Sequence, residues 1–324
     1  HREIILEIWH VDEAVKKYEA NLEKWKKDVE AAKVKGEPKL PKEPQKALKA
    51  GECRAKVGNL YERNILPYIP YAIRGVLWDQ GESRTAIEGV DQYTLMGALI
   101  NGWRKEWCQP FAFIYVQKPS GGGCVWDEAD PVTCKGQKFS PLPATVPNDG
   151  AYRENHIQIM NYPNTFMAIS SDLGPGTHPV NKSGYGVRSA RVALGAVYGK
   201  AEEIYGPVYK SHKVEGGKVV ISFDHVGKGL AFKNGDRLQG FAVAGDDTSS
   251  SKASSSAEAT AGQAGAAGGT FVWADAVIEG DKVVVSSDKV TKPVAVRYAW
   301  AGLHQWANLF NKDGLPAIPF RTDK

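Results

Sequence analysis

The sequence lacks any long apolar run. Its longest uninterrupted apolar stretch covers residues 111–116. A helix that crosses a bilayer needs about 20 such residues, so we expect no membrane span. The first ten residues also lack the basic start, long apolar stretch and small-residue cleavage site of a signal peptide. The sequence also begins at His1 rather than at a methionine. We therefore expect the chain to be a processed product, a trimmed chain or a fragment.

Cysteine is scarce, with four residues in the chain, and none of them forms a CxxC pair. A zinc site is therefore not expected, and no other metal is called for. Cys124 and Cys134 flank a short acidic loop and are candidates for a disulfide. Because pairing cannot be deduced from spacing, four free thiols remain the alternative.

The chain also lacks a strong excess of either charge. It has 41 basic and 37 acidic residues, a net charge of +4. Most of that excess falls in residues 1–60, where the two signs are mixed. No basic stripe that would follow a phosphate backbone is present, so we do not expect nucleic acid as a partner.

Residues 11–35 show a heptad pattern. Apolar residues recur at alternating steps of four and three, which predicts a helix with one apolar seam. The seam residues are Val11, Val15, Tyr18, Leu22, Trp25, Val29 and Ala32. A proline-rich linker follows at 38–46. The pattern favours a helix packed on its own domain, and a projecting arm that binds a partner is the alternative.

Three regions follow from composition and periodicity. Residues 1–53 form the charged helical insertion and linker. In 54–204, strand patterns at 73–78, 111–117 and 166–172 alternate with helix patterns at 92–107, 151–160 and 184–198, which predicts a parallel sheet between helices.

In 205–324 only strand patterns occur, at 218–226, 237–245, 270–280, 281–287 and 292–300. They predict a small β-sandwich with a disordered loop at 248–270 and a returning tail.

Two polar clusters lie where predicted strands end, which is where parallel sheets bind ligands. In WDQGES (78–83), Gly81 permits close backbone approach and Gln80 offers an amide donor. In SSDLGPGTHPVNKSGYGVR (170–188), His178 follows a strand in a tight loop and suits a general base. The sequence contains no GxSxG, HExxH, GxGxxG or P-loop pattern, which argues against several common enzyme classes.

Together the two clusters resemble a known family. RGVLWDQGES resembles the RGVIWYQGESN motif of sialate O-acetylesterase-like carbohydrate esterases in the SGNH-hydrolase superfamily. DLGPGTHPVNKSGYGVR resembles the D-x-G…HPxxK…G-x-R segment of the same group. The charged N-terminal helix and the C-terminal strands are similar as well, so the resemblance covers essentially the whole chain.

The resemblance implies a flavodoxin-like sheet, incomplete at its N-terminus, followed by the β-sandwich. It also implies an extracellular or periplasmic serine esterase that removes O-acetyl groups from carbohydrates without a cofactor. His178 would activate the serine, Gln80 would donate into the oxyanion hole, and Asp172 is the nearest acid to orient the histidine.

Gly81, Glu82 and Arg84 would line the substrate site. Taken by itself, Glu82 is predicted to be a structural partner of an arginine such as Arg74 or Arg153 rather than a catalyst.

The sequence departs from the family in three ways. No GQSN-type nucleophile block is present, and Ser83 is not that nucleophile. The serine is therefore expected outside this chain segment, and the chain alone is expected to be inactive. No acidic residue directly precedes His178. Asp79 and Arg84 stand where Tyr and Asn are usual. The alternative is a non-catalytic glycan-binding or scaffold protein derived from an esterase.

Overall fold

The computed structural model of the chain describes residues 12–36, 39–45, 58–82, 85, 89–124, 136–174, 176, 178–179, 181–246 and 270–323. The predicted loop at 248–270, except for Thr270, lies outside these ranges, as do Arg84 and Cys134. Within the described ranges, every helix is too short or too polar to cross a bilayer.

The predicted N-terminal helix is confirmed as α1, Asp12–Lys35. Its seam is visible in the exposure pattern: Tyr18, Leu22 and Val29 are half-buried, while most residues between them are exposed. The Nε1 of Trp25, also on the seam, donates a hydrogen bond to the carbonyl of Pro41 at 2.9 Å. The linker therefore turns back along the seam.

A three-stranded parallel sheet forms the centre of the α/β part. Besides two short 3-10 turns and one π-helix, the described residues of this part form seven helices and strands: α2 Asn59–Asn64, β1 Gly75–Trp78, α3 Gln92–Trp107, β2 Ala112–Val116, α4 Ala151–Gln158, β3 Thr165–Ala168 and α5 Lys182–Val192. The strands lie in the order β1-β2-β3. The central strand β2 is buried along its whole length, as its unbroken apolar run predicts.

Capping residues explain where two of the helices begin. Asp91 caps α3, with its Oδ1 accepting a hydrogen bond from the Thr94 backbone N–H at 2.7 Å. The helix ends at Cys108, which adopts a left-handed conformation. Asn181 caps α5 in the same way, and α5 continues as a π-helix over Ala193–Val197. The helix pattern predicted over 184–198 is therefore two helical forms in succession.

The two faces of the sheet are covered differently. On one face Trp78 of β1 packs edge-on against Trp103 of α3, with ring centroids 5.8 Å apart. On the other face α5 lies over β2 and β3. Leu77 of β1 is 65% exposed, because β1 is the edge strand among the described residues. The described residues form three parallel strands, and three strands do not by themselves distinguish a flavodoxin-like sheet from other parallel sheets. The flavodoxin-like assignment therefore stays a prediction.

Among the described residues of the C-terminal part, every regular element is a β-strand. The strands are β4 Val208–Glu215, β5 Lys218–Asp224, β6 Leu230–Phe232, β7 Phe241–Gly245, β8 Val272–Trp273, β9 Asp275–Glu279, β10 Lys282–Ser286, β11 Pro293–Tyr298, β12 Leu309–Asn311 and β13 Phe320–Arg321. They make two four-stranded antiparallel sheets, β4-β5-β10-β9 and β13-β11-β7-β8, and a two-stranded pair, β12-β6. One apolar cluster fills the space between the two larger sheets, as expected of a sandwich.

One strand prediction is wrong. The pattern at 270–280 predicts a single strand, but the chain forms β8 and β9, which belong to different sheets. The break lies at Ala274, whose backbone N–H bonds to the carbonyl of Phe241. An apolar run cannot report that the chain crosses from one sheet to the other, because both sheets need the same side chains.

A buried arginine links the two parts. Arg153 of α4 is 1% exposed and donates from Nη2 to the carbonyls of Gly121 and Gly302, at 3.0 and 2.8 Å. Gly121 follows β2, and Gly302 follows β11. The boundary at 204/205 as a division between separate domains stays a prediction.

The packing of the parallel sheet predicts a contrast between two of its side chains. Phe113 of β2 is fully buried against Trp78 and Trp103. Phe113→Ala should cost about 3–5 kcal/mol of unfolding free energy through lost burial and a cavity. Leu77→Ala, in the same sheet but exposed, should change it by about 0.5 kcal/mol or less. Urea denaturation measures both, and equal losses would contradict the packing described here.

Candidate functional site

The candidate site lies at the carboxyl edge of the parallel sheet. Gln80 comes two residues after β1, Lys118 two residues after β2, and the segment 170–172 follows β3. Because the three strands run parallel, their carboxyl ends meet at this edge. The segments that carry Gln80 and His178 both leave the sheet from it.

The turn 79–82 is held close to helix α4. Gly81 adopts a φ of +124°, and a Cβ built there would lie 3.0 Å from Cε1 of His156. The hydroxyl of Tyr152 donates a hydrogen bond to the Gly81 carbonyl. A side chain at position 81 would therefore be strained and would press on His156, so the turn requires glycine.

A buried lysine binds the two acidic residues of this turn. Lys118 is fully buried, and its Nζ lies 2.8 Å from Oδ1 of Asp79, 2.7 Å from Oε1 of Glu82 and 3.2 Å from Oγ of Ser120. The partner of Glu82 is therefore Lys118, and the predicted arginine partner, Arg74 or Arg153, is wrong. Lys118 is not predicted from the sequence, because a lysine after a strand carries no pattern of its own.

Asp79 connects the turn to the segment that carries His178. Its second oxygen, Oδ2, lies 3.1 Å from Nζ of Lys182, the first residue of α5. The ring of Tyr185, also on α5, lies below both ammonium groups, at 5.6 Å from Lys118 and 4.6 Å from Lys182. The structure thus brings the two predicted motifs to the same sheet edge through an ion pair.

The charges of this cluster decide which groups are ionised. Burial by itself favours the neutral form of Asp79 and Glu82, but hydrogen bonds and charge from Lys118 outweigh it and lower the pKa of both carboxyl groups. Burial, with the charges of Arg153 and Lys118, lowers the pKa of His156 to about 3. His156 is therefore uncharged at neutral pH.

The proposed acid of the site has a different partner from the one expected. Asp172 is 1% exposed, and its Oδ2 lies 2.9 Å from Nη2 of Arg188. Among the described residues, its Oδ1 has no hydrogen-bond partner. His178 is exposed. No contact between Asp172 and His178 is described, so the orienting role of Asp172 stays a prediction.

Two more residues singled out in the sequence, Gln80 and Cys124, lie within the described ranges. Gln80 is exposed beside the buried Gly81. Cys124 is a buried free cysteine, and burial raises the pKa of its thiol. Within the described part of the chain, no group of three or more His, Cys, Asp or Glu side chains is placed to hold a metal ion.

Comparison with known proteins finds similarity among solved structures. No protein-family model matches the chain, and no curated protein matches it. Among solved structures, the chain is similar to the crystal structure of a carbohydrate acetylesterase from Xanthomonas citri, with 32% sequence identity and a TM-score of 0.62. The match covers 83% of this chain and 56% of the other, so the chain spans little more than half the length of that protein.

The buried pair of Asp172 and Arg188 gives a stability prediction. Asp172→Ala should cost about 3–5 kcal/mol, because it leaves the Arg188 guanidinium buried without its counter-ion. The matched control is Asp224→Ala, which breaks the exposed pair with Lys210 and should cost about 1 kcal/mol or less. Chemical denaturation of both variants is the measurement, and a small effect of Asp172→Ala would show that water reaches Arg188.

The lowered pKa values of Asp79 and Glu82 give a pH prediction. Carboxyl groups with a lowered pKa stabilise the fold fully above their ordinary pKa of about 4, and that stability is lost as the pH falls through the lower folded-state values. Lys118→Met removes the one group that lowers the pKa of both acids, while Lys182 still acts on Asp79 and backbone hydrogen bonds still act on Glu82. The stability gap between wild type and this variant should be largest near neutral pH and should narrow below about pH 4.

Denaturation curves from pH 7 to pH 3 measure this gap. Lys210→Met, from the exposed pair with Asp224, serves as the control and should show a small gap throughout. A gap for Lys118→Met that stays constant across the range would show that Asp79 and Glu82 do not carry the effect.

Proposed function

We propose that the protein is a carbohydrate O-acetylesterase that acts by serine acyl transfer. The observation that carries the proposal is the 32% identity with a carbohydrate acetylesterase over 83% of the chain. Two further features support it. The WDQGE turn and the HP segment leave the same sheet edge, and the pair Asp79–Lys182 joins them.

Gln80 is proposed to stabilise the oxyanion. An acetyl ester passes through a tetrahedral intermediate whose carbonyl oxygen becomes negative, and a donor already aimed at that oxygen lowers the barrier. The Gln80 side chain is exposed, whereas Gly81 beside it is held by Tyr152 and Glu82. An exposed amide on a fixed backbone suits this role, and one such donor contributes about 10²–10³ in rate.

His178 is proposed as the general base. It would take the proton of the serine hydroxyl as the oxygen attacks the acetyl carbon, and would give that proton to the sugar oxygen as the ester C–O bond breaks. In the second half, water would lose a proton to His178 and attack the acetyl-enzyme, which releases acetate and restores the serine. Asp172 is the proposed orienter of the imidazole.

The finer parts of the proposal rest on the motifs alone. They are the sialate-type specificity, the extracellular or periplasmic location and the SGNH-type sheet. Three residues are proposed to border the substrate: Gly81, Glu82 and Arg84. The carboxylate of Glu82 would be held there by its bond to Lys118. The nucleophilic serine is proposed to come from polypeptide outside residues 1–324, because no serine of the sequence stands in a GQSN-type block.

A non-catalytic glycan-binding protein is the second candidate. The observation that favours it is the bond between Asp172 and Arg188, which engages the carboxylate nearest to His178 in sequence. A histidine without an acid to fix its tautomer is a weaker base. In this case sugar would bind at the same sheet edge without being hydrolysed.

Hydrolysis of 4-nitrophenyl acetate tests the proposal, both with this chain and with the full natural polypeptide that contains it. The full polypeptide should be active and this chain inactive. In the active form, Gln80→Ala should lower kcat by about 10²–10³ because one oxyanion donor is lost. His178→Ala should lower kcat by at least as much.

Lys210→Met, on the surface of the β-sandwich, is the control and should keep normal turnover. Normal turnover by His178→Ala would contradict the assignment of the base. Binding of acetylated sugar by a full polypeptide that releases no acetate would instead favour the glycan-binding protein.

A further inference from the structure

We propose that Lys118 is a positioning residue for Gln80: it holds both carboxylates that flank the Gln80–Gly81 pair and so fixes the turn that aims the Gln80 amide. The proposal rests on the proposed esterase function, because that function gives Gln80 its role. Lys118 itself has no predicted contact with substrate.

The geometry of the cluster carries the inference. Asp79 and Glu82 are the residues immediately before and after Gln80–Gly81, and one Nζ bonds to both, at 2.8 and 2.7 Å. The two ends of the turn are therefore tied to a single atom. That atom belongs to a side chain with 0% exposure, which follows the fully buried strand β2 and cannot swing into solvent.

Charge explains why the contact is strong. A fully buried ammonium is costly unless it is paired and hydrogen-bonded. Lys118 has two carboxylates, the hydroxyl of Ser120 and the ring of Tyr185 within reach. With Lys182 on the outer oxygen of Asp79, the cluster contains two positive and two negative charges. Moving the turn would separate these charges, so the turn has one favoured position.

The cluster also departs from the motif that this turn resembles. The motif that WDQGES resembles has tyrosine where this chain has Asp79. A tyrosine hydroxyl has no negative charge at neutral pH, so it could not form the same pair with Lys118 or Lys182. The ionic anchoring of the turn is therefore a property of these residues and not of the motif.

Amide hydrogen exchange tests the proposal without relying on activity. In Lys118→Met, exchange of the segment 79–82 should become at least tenfold faster, while β7, Phe241–Gly245, stays unchanged. Because a single substitution leaves Glu82 without its counter-ion and could prevent folding, the triple variant Asp79→Asn, Glu82→Gln and Lys118→Met is measured as well. It leaves no unpaired charge in the turn and should show the same acceleration.

Kinetics in the active full polypeptide separates positioning from mere folding. For 4-nitrophenyl acetate, Lys118→Met should lower kcat at least tenfold and leave KM within about twofold, since the oxyanion contact exists only in the transition state. Lys210→Met is the matched lysine control, and both values should be unchanged.

Each outcome decides one of the two proposals. If residues 79–82 of the folded Lys118 variants exchange their amide hydrogens at the wild-type rate, the positioning role is overturned. Faster exchange together with an unchanged kcat overturns it as well. A wild-type full polypeptide without esterase activity contradicts the proposed function, and the exchange measurement then still shows whether Lys118 fixes the turn.

Discussion

The buried ammonium of Lys118 is the interaction on which the candidate site depends. A lysine is rarely fully buried, because removing its charge from water is costly. Here the cost is offset by two carboxylates and a hydroxyl within 3.2 Å of one nitrogen. Without Lys118, Asp79 and Glu82 would repel one another across the short turn that they enclose. Lys118 therefore contributes both to the conformation of the turn and to the ionisation of both acids.

The parallel sheet makes this contact possible. Residues 79–82 and Lys118 are about forty positions apart in sequence, yet they follow neighbouring strands whose register pairs Trp78 with Tyr115. The same edge receives the segment after β3, and α5 begins beside it with Lys182. On the opposite side of the turn, Gly81 lies against α4 with a φ of +124°, where a Cβ would be strained and would press on His156. Strand order and one glycine thus bring together groups that no local motif joins.

Periodicity predicts the elements of this chain well where one pattern serves one element. The bounds of α3 follow from its apolar spacing and its Asp91 cap, and β2 follows from its unbroken apolar run. The run at 270–280 misleads because two sheets share the same core. The motifs identify Gln80 and His178 as candidates, but the partners of Glu82 and Asp172 depend on long-range contacts. Residues with no local signal, such as Lys118 and His156, supply much of the electrostatics of the site.

Asp79 shows how a departure from a motif can be explained by its surroundings. A carboxylate in place of the usual tyrosine would be unfavourable beside Glu82, because like charges at the two ends of a short turn repel. Lys118 and Lys182 remove that objection, since each binds one oxygen of Asp79. The three residues therefore form one unit: the acid is tolerated because of the two lysines, and the buried lysine is tolerated because of the acid. A chain with tyrosine at this position would leave Lys118 paired with Glu82 but without its second carboxylate, and would leave Lys182 without its partner on the turn.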